Sequence, residues 1–456
     1  MVNFKSFLVV SLLISSTFAY ASEEGCIAAT TDITKKIECL SEVTITNTAT
    51  DNDGNLVFDM VINQLMDHKD PTSQQFQQRI VLTHLNTNEP MLLQTSGYSI
   101  FRVRLAHIAR VFGTNQLQIE HRYFEKSIPT NPDWSFLNIK QSADDFHKIT
   151  ETFKKIYAKP WINTGASKGG MTSTYHRYFY PNDLVGTVAD VAPLSFSTSD
   201  QRYNKFLDNV GGDKYKSCRE SIKTMQQILL KNRDQFLPSI EGTYTQLGGK
   251  EVAYEHSVLE AHFYFWQYGN PKTCNNLPAL SDTQAVYDFF QKLAEVTGYA
   301  DSDLQRFVAY FYQSATELGG PDNISYHLEE LRQFEFSVSQ YTPHGVEIPY
   351  SNTSMRAIQE WALNDADEIM YVYGEFDPWT AAEYPIGVNG KNTYKFSVPA
   401  GNHSANFTKL QAKDKAKAIK IISQWLGKDP VSTKNVKSFT PSLDQLEYNI
   451  RKSLRL

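Results

Sequence analysis

The sequence predicts an α/β protein with a mostly parallel sheet and a long helical insertion, and three observations carry that reading. Short apolar runs alternate with helix-length segments from residue 79 to residue 193 and again from 368 to 426, the rhythm of a parallel sheet. Between those stretches, from 194 to 363, the alternation stops and helix-like segments follow one another. At 161–180, WINTGASKGGMTSTYHRYFY, a strand, a Gly-rich turn and a helix occur in immediate succession. The expected organisation is a leader at 1–21, a sheet domain made of 22–193 and 364–456, and an insertion at 194–363 over the sheet's carboxyl edge.

The leader has Lys5 at its positive start, an apolar centre at 7–18, and Ala19-Tyr20-Ala21 as the cleavage site, so the mature chain is expected to begin at Ser22. That centre is shorter than the ~20 apolar residues a membrane span needs, and Glu23 and Glu24 argue against a lipid anchor on Cys26. An exported protein without a membrane anchor, periplasmic or extracellular, is the expectation. In an oxidising compartment the four cysteines form an even set with three possible pairings, and locality favours Cys26 with Cys39 and Cys218 with Cys274. No C-x-x-C spacing suggests a metal. A net charge of −6 without a long basic block argues against a nucleic-acid partner, because the tail at 450–456, IRKSLRL, is short. Nothing in the pattern sets an oligomeric state.

Along the chain, Phe58-Asp59-Met60-Val61-Ile62 alternates as a half-buried strand does, and Arg79-Ile80-Val81-Leu82 and Met91-Leu92-Leu93 follow as the next two. The loop Thr95-Ser96-Gly97-Tyr98 closes the third. Residues 116–120 read as a buried strand, 142–157 as a helix, and 186–193 as a strand ended by Pro193. In the insertion, helices are expected at 218–232, 255–268 and 282–297. The aromatic run 262–268, HFYFWQY, either lines a substrate slot or packs the insertion's own core.

At the central turn, Gly165, Ser167 and Gly169 stand in the G-x-S-x-G spacing. A sharp strand-to-helix reversal leaves no room for side chains beside the serine, and it exposes the hydroxyl at a helix N-terminus where negative charge is stabilised. A Gly-rich turn between two core elements would account for the glycines without the serine. The polar clusters after the two last strands decide between these readings. Asp377 follows the strand at 368–374 and His403 follows the one at 394–398, so the chain order Ser167, Asp377, His403 is that of an α/β-hydrolase. Serine acyl transfer needs a base for the hydroxyl proton and a carboxylate to orient that base. Glu375 and Asp190 are the competing carboxylates. A neutral imidazole base implies activity that rises with pH and needs no metal.

The oxyanion hole is expected from the backbone N–H of Lys168 with a second donor from Gly97 or Tyr98. The Lys168 side chain opposes the helix dipole, so it either serves another purpose or is a solvated surface lysine. A peptidase that reads a free N-terminus needs a carboxylate where the ammonium stops. The candidates are Glu255 and Glu260, flanking the aromatic run, with Trp266 as a wall. Both glutamates also fit a solvated helix face. Asn402-His403-Ser404 and Asn406-Phe407-Thr408 are glycosylation patterns, and a glycan there would block the site, so a compartment without that modification is expected.

At these residues the chain resembles the secreted bacterial prolyl tri/tetrapeptidyl aminopeptidases, serine peptidases of the α/β-hydrolase class. The matching stretches are GASKGGMTSTYHRYFYPNDLVGTVADVAP around Ser167, YVYGEFDPWTA around Asp377 and VPAGNHSANF around His403. More diffuse matches, FDMVINQLMDHKDP, FQQRIVLTH and IEHRYF, are also similar to the lysosomal Pro-Xaa carboxypeptidase and dipeptidyl-peptidase family. The resemblance implies removal of short peptides from free N-termini, often after proline, without metal or organic cofactor. An esterase or lipase, a Pro-Xaa carboxypeptidase-like peptidase and a catalytically silent binding scaffold are the alternatives. A silent scaffold has no physical need for all three of Ser167, Asp377 and His403.

Overall fold

The computed structural model describes residues 22–322, 326–387 and 391–431; the leader at 1–21 and the basic tail at 450–456 lie outside them. Among the described residues nine strands form one sheet: β1 (Val43–Thr50), β2 (Leu56–Leu65), β3 (Gln75–His84), β4 (Met91–Thr95), β5 (Asn115–Ile119), β6 (Trp161–Ala166), β7 (Gly186–Asp190), β8 (Asp367–Gly374) and β9 (Lys391–Val398). Their order is β1-β2-β3-β5-β4-β6-β7-β8-β9. The first three strands and β5 pair antiparallel, whereas β4 to β9 run parallel. The expected mostly parallel α/β sheet is present, with β1 as an additional edge.

Burial follows from the strands' positions. β2 alternates buried and partly buried residues, as a strand with one solvated face must, whereas every residue of β5 and β7 is buried between helical layers. The helices Ile139–Lys154, Lys168–Phe179 and Thr353–Asn364 pack against the sheet through such residues as Phe146, Met171 and Met355. A separate cluster gathers the helices His107–Phe112 and Ala412–Leu426 through Ile108, Phe112, Ile421 and Ile422 on Leu92, Val188 and Val372.

The diffuse motifs of the N-terminal half have a structural use. Arg122 and Asp145 are fully buried and joined by two bonds of 2.7 and 2.8 Å, while the guanidinium also donates to the carbonyls of Leu65, Met66 and Phe136. His68 completes the group at 2.8 Å from Asp145. Burial opposes the Asp145 charge, but Arg122 outweighs it and holds the carboxyl below its usual range.

Between β7 and β8 the described residues form helices, the longest being Lys216–Lys231, Lys250–Tyr268 and Asp301–Gln313. They share a core of their own around Leu229, Val258 and Phe307, which Tyr98 and Phe124 join from the sheet side. Both disulfides have the pairing expected from locality, Cys26 with Cys39 and Cys218 with Cys274. No helix among the described residues is long and apolar enough to cross a membrane.

Candidate active site

β6 delivers the chain to Ser167, which sits at φ 57° and ψ −127°, a backbone conformation that a side-chain-bearing residue adopts only under constraint. The constraint is visible on both sides. The Ser167 amide donates to the Asp190 carbonyl at 2.9 Å, and the Met171 amide donates to the Ser167 carbonyl at 3.0 Å. The loop after β4 presses against the turn so closely that a Cβ on Gly97 would lie 2.6 Å from the Gly169 nitrogen, and one on Gly169 would lie 2.5 Å from the Thr95 oxygen. The glycines are therefore needed for this approach, and the half-buried serine is held at the apex of the turn.

Asp377 follows β8 in a turn that caps the short helical segment Pro378–Ala382, accepting the Trp379 amide at 3.2 Å. Its side chain is fully buried, and its Oδ2 lies 2.7 Å from His403 Nδ1. Burial pushes the Asp377 carboxyl above its usual range, and the His403 contact opposes that shift by favouring the anion. His403 is fixed from its backbone, whose amide donates to the Gln267 carbonyl at 2.9 Å, and from its ring, which lies 6.0 Å from those of Tyr268 and Trp379. The competing carboxylates take other positions: Glu375 accepts the Ala400 amide at 2.7 Å, and Asp190 is buried at the end of β7. His176 and His147 both bond to Asp183.

Lys168 is not a solvated surface lysine. It is 2% exposed, its Nζ donates to the Gly97 carbonyl at 2.6 Å, and its ammonium lies 5.5 and 5.2 Å from the Tyr98 and Phe124 ring centres. Burial pushes its pKa well below the usual lysine range. Its tether to Gly97 fixes the loop that carries Tyr98. The Tyr98 amide donates to Ser96 Oγ at 3.3 Å, whereas the Tyr98 side chain lines the same cavity as Ser167. Burial raises this phenol's pKa well above its usual range, so it remains a protonated donor at neutral pH. The loop residue expected to contribute through its backbone thus also presents its side chain to the cavity at Ser167.

Ser167 opens into a cavity lined by Tyr98, Met171, Pro193, Ser195, Tyr310, Ser314 and Trp379. A larger cavity, about 830 Å³ of space not filled by atoms, shares Tyr310, Ser314 and Trp379 with it and contains Glu260, Phe263, Tyr264 and Gln267. Those last four lie at i, i+3, i+4 and i+7 of the helix Lys250–Tyr268, so one helical face forms a wall of the cleft. Glu260 bonds to the Tyr299 hydroxyl and is flanked by Tyr264; burial pushes its pKa up to about 7 while these two phenols oppose the shift.

The profile of the PS-10 peptidase S37 family matches residues 28–453. The chain belongs to that family. It is 34% identical over 418 residues to the prolyl tri/tetrapeptidyl aminopeptidase of Streptomyces mobaraensis, covering 87% of each chain. The lysosomal Pro-X carboxypeptidase of Mus musculus is 22% identical over 57% of this chain and 64% of its own. Among solved structures, the proline iminopeptidase of Mycobacterium smegmatis aligns at 13% identity with a TM-score of 0.38, over 80% of this chain and 97% of that one. The family assignment does not rest on this last similarity. The chain is thus a serine peptidase of the S37 family.

Two of the three substrate-site residues expected of this S37 peptidase lie off the cleft. Glu255 is fully buried, 2.9 Å from Arg233 Nη1, and accepts the amides of Gln333 and Phe334. It stands five residues from Glu260, a rotation of ~140° around the helix, which turns it into the insertion's core. Glu255→Gln should therefore lower stability by about 3 kcal/mol, because Arg233 loses its counter-charge in a buried site. Urea unfolding checks the loss, and the folded variant should keep parental kcat. Trp266 is 1% exposed and packs on Tyr215, Phe265 and Phe376, beneath the turn that carries Asp377. It supports the acid turn instead of lining the cavity. Tyr310, Ser314 and Trp379 line the cleft without having been singled out in the sequence; only Trp379, two residues after Asp377, had a motif beside it.

Proposed function

We propose that this S37 peptidase is an exported exopeptidase that removes tri- or tetrapeptides from free N-termini, with proline before the cleaved bond. The observation that carries the proposal is the pair of adjoining cavities, which share Tyr310, Ser314 and Trp379 and place Glu260 at one end and Ser167 at the other. A partly exposed carboxylate in an aromatic cleft suits a substrate ammonium, whereas an acyl groove for an esterase would have no use for it. The aromatic walls suit a proline ring. Residues 22–193 and 364–456 make up the catalytic domain in this reading, and 194–363 is the cap that closes the amino-terminal side.

Ser167 Oγ attacks the carbonyl carbon while His403 accepts the hydroxyl proton, and Asp377 stabilises the resulting imidazolium. The Lys168 amide and the Tyr98 hydroxyl donate to the oxyanion. His403 then protonates the leaving amine, and water attacks the acyl-enzyme by the same route in reverse. No metal or organic cofactor enters these steps. The Streptomyces relative's name supplies the product length and the proline preference; the Glu260 position supplies the requirement for a free N-terminus.

Glu260→Gln tests this reading. A charge-assisted bond in a partly buried site contributes about 1.5 to 3 kcal/mol, so kcat/KM for free peptides should fall roughly 10- to 100-fold, mainly through KM. Hydrolysis of a small activated ester should be unchanged. The pH profile gives a second readout. Because the Glu260 pKa is pushed up to about 7, the anion that binds ammonium forms as pH rises through that value, and kcat/KM for free peptides should rise with it. Above about 8 the substrate ammonium loses its proton and the rate should fall. In the Gln variant the Glu260 contribution near 7 should be lost, so that the rising limb for peptides takes the shape of the ester profile, which stays as in the parent. Equal losses on ester and peptide would contradict the assignment.

A further inference from the structure

We infer that Asn402 is a positioning residue for the base: it ties the loop that carries His403 to the end of the insertion helix that carries Glu260. The inference rests on the triad reading, in which His403 takes the serine proton. The loop at 399–404 lies between two supports. On the sheet side, the Phe376 amide donates to the Gly401 carbonyl at 2.8 Å, and the Ala400 amide donates to Glu375 at 2.7 Å. Both bonds fall on residues that precede His403. On the insertion side, Asn402 Nδ2 donates to the carbonyls of Tyr268 and Gly269, each at 3.2 Å, and the His403 amide donates to the Gln267 carbonyl at 2.9 Å. An α-helix ends in carbonyls that have no partner within it, and the helix Lys250–Tyr268 ends at these residues. The base loop therefore acts as the cap of that helix, and the helix end acts as the seat of the base.

The two halves of the Asn402 amide have different tasks. Its Oδ1 accepts the Ser404 amide at 3.1 Å and the Ser404 hydroxyl at 2.6 Å, bonds that turn the loop on itself. Its Nδ2 reaches across to the helix. A carboxylate of the same shape would accept but not donate, and alanine would do neither. The seat is itself secured. Cys274, in the segment Pro271–Asn276 that follows Gly269, is bonded to Cys218 on the helix Lys216–Lys231, which restrains an end that would otherwise fray. The Tyr268 ring also stands edge-on to the His403 ring at 6.0 Å. From the same helix Glu260, Tyr264 and Gln267 line the larger cavity. Glu260 and Gln267 are seven residues apart, a rise of about 10 Å. The element that receives the substrate ammonium in the proposed reading thus also sets where the base stands. Proton transfer from Ser167 depends on that placement, because a displacement of about 1 Å costs on the order of 100-fold in rate.

The test compares Asn402→Ala, Asn402→Asp and His403→Ala with the parent enzyme. Asn402→Asp keeps the acceptor for Ser404 and loses the donor, so it separates the tether from the local turn. Both Asn402 variants should lose about 10- to 100-fold in kcat on a tripeptidyl anilide ending in proline, with KM changed by less than about twofold. Hydrolysis of a small activated ester and labelling by a serine-directed phosphonate should slow by the same factor, since both need His403 and neither has an ammonium. Labelling should still run to completion, and Tm should stay within about 4 °C of the parent, so that the loss is one of rate in a folded enzyme. Parental kcat in Asn402→Asp would assign any effect of Asn402→Ala to the turn with Ser404 and overturn the tether. A loss carried by KM, or incomplete labelling of both variants, would also overturn it, by placing Asn402 in the substrate pocket or in the fold. If His403→Ala keeps its activity, the triad reading fails and the inference falls with it. If His403→Ala is inactive and neither Asn402 variant is slowed, the inference alone fails.

Discussion

Ser167→Ala is expected to lower kcat/KM on peptides by about five orders of magnitude and to abolish labelling by a serine-directed phosphonate. Folding should be unaffected or slightly improved. The hydroxyl stands at the mouth of a cavity and holds no structural element, while the strain at φ 57° belongs to the backbone and is borne equally by alanine. The elbow would persist around the missing oxygen because its supports are the glycines and the Asp190 carbonyl, none of which involves the serine side chain. Thermal unfolding beside the kinetic assay separates chemistry from stability. Activity within a few-fold of the parent would remove Ser167 from the reaction.

Asp377→Asn is expected to cost about four orders of magnitude in kcat with little change in KM. The argument is one of tautomers. A carboxylate 2.7 Å from His403 Nδ1 accepts a hydrogen bond from the proton on that nitrogen, which keeps it there and leaves Nε2 free to act as base. An amide NH2 in its place would donate instead, so the proton would sit on Nε2, the nitrogen that must accept the serine proton. Stability should be preserved, because burying a neutral amide is easier than burying a carboxylate whose pKa burial already raises. A loss confined to KM would contradict the orienting role.

Much of the sheet was legible because its parallel strands are short apolar runs, each followed by polar turn chemistry. β4, β5, β6 and β7 all fall where those runs occur. β1 was not read: only Val43 of its eight residues is buried, and a solvated edge strand shows no apolar face. The candidate pair Asp377 and His403 was legible for the same reason as the strands, since these are the polar residues that follow β8 and β9, and their side chains meet at 2.7 Å.

What pattern could not reach was direction. Helix Lys250–Tyr268 is buried almost all round, with Glu260 partly exposed among residues that are otherwise covered from Val252 to Gln267. It therefore has no apolar stripe to show which glutamate faces the cleft. Only the packing of Arg233 on one side and Tyr299 on another separates Glu255 from Glu260. Lys168 posed the same problem. Its charge suggested solvent, and the aromatic cage that buries it is built by Tyr98 and Phe124, distant in sequence. The loop after β4 was located by position, but the contact that engages the Tyr98 nitrogen with Ser96 and the turn of the Tyr98 ring toward the Ser167 cavity depend on tertiary packing.

The central claim is that one cleft joins an ammonium anchor to a serine nucleophile, and the products of a small peptide panel, read by mass, test it most directly. Peptides with a free N-terminus and proline at the third or fourth residue should lose the segment ending at that proline. The same peptides acetylated at the N-terminus should remain whole over the same time. Cleavage of both sets at equal rates, or removal of residues from the C-terminus, would contradict the account.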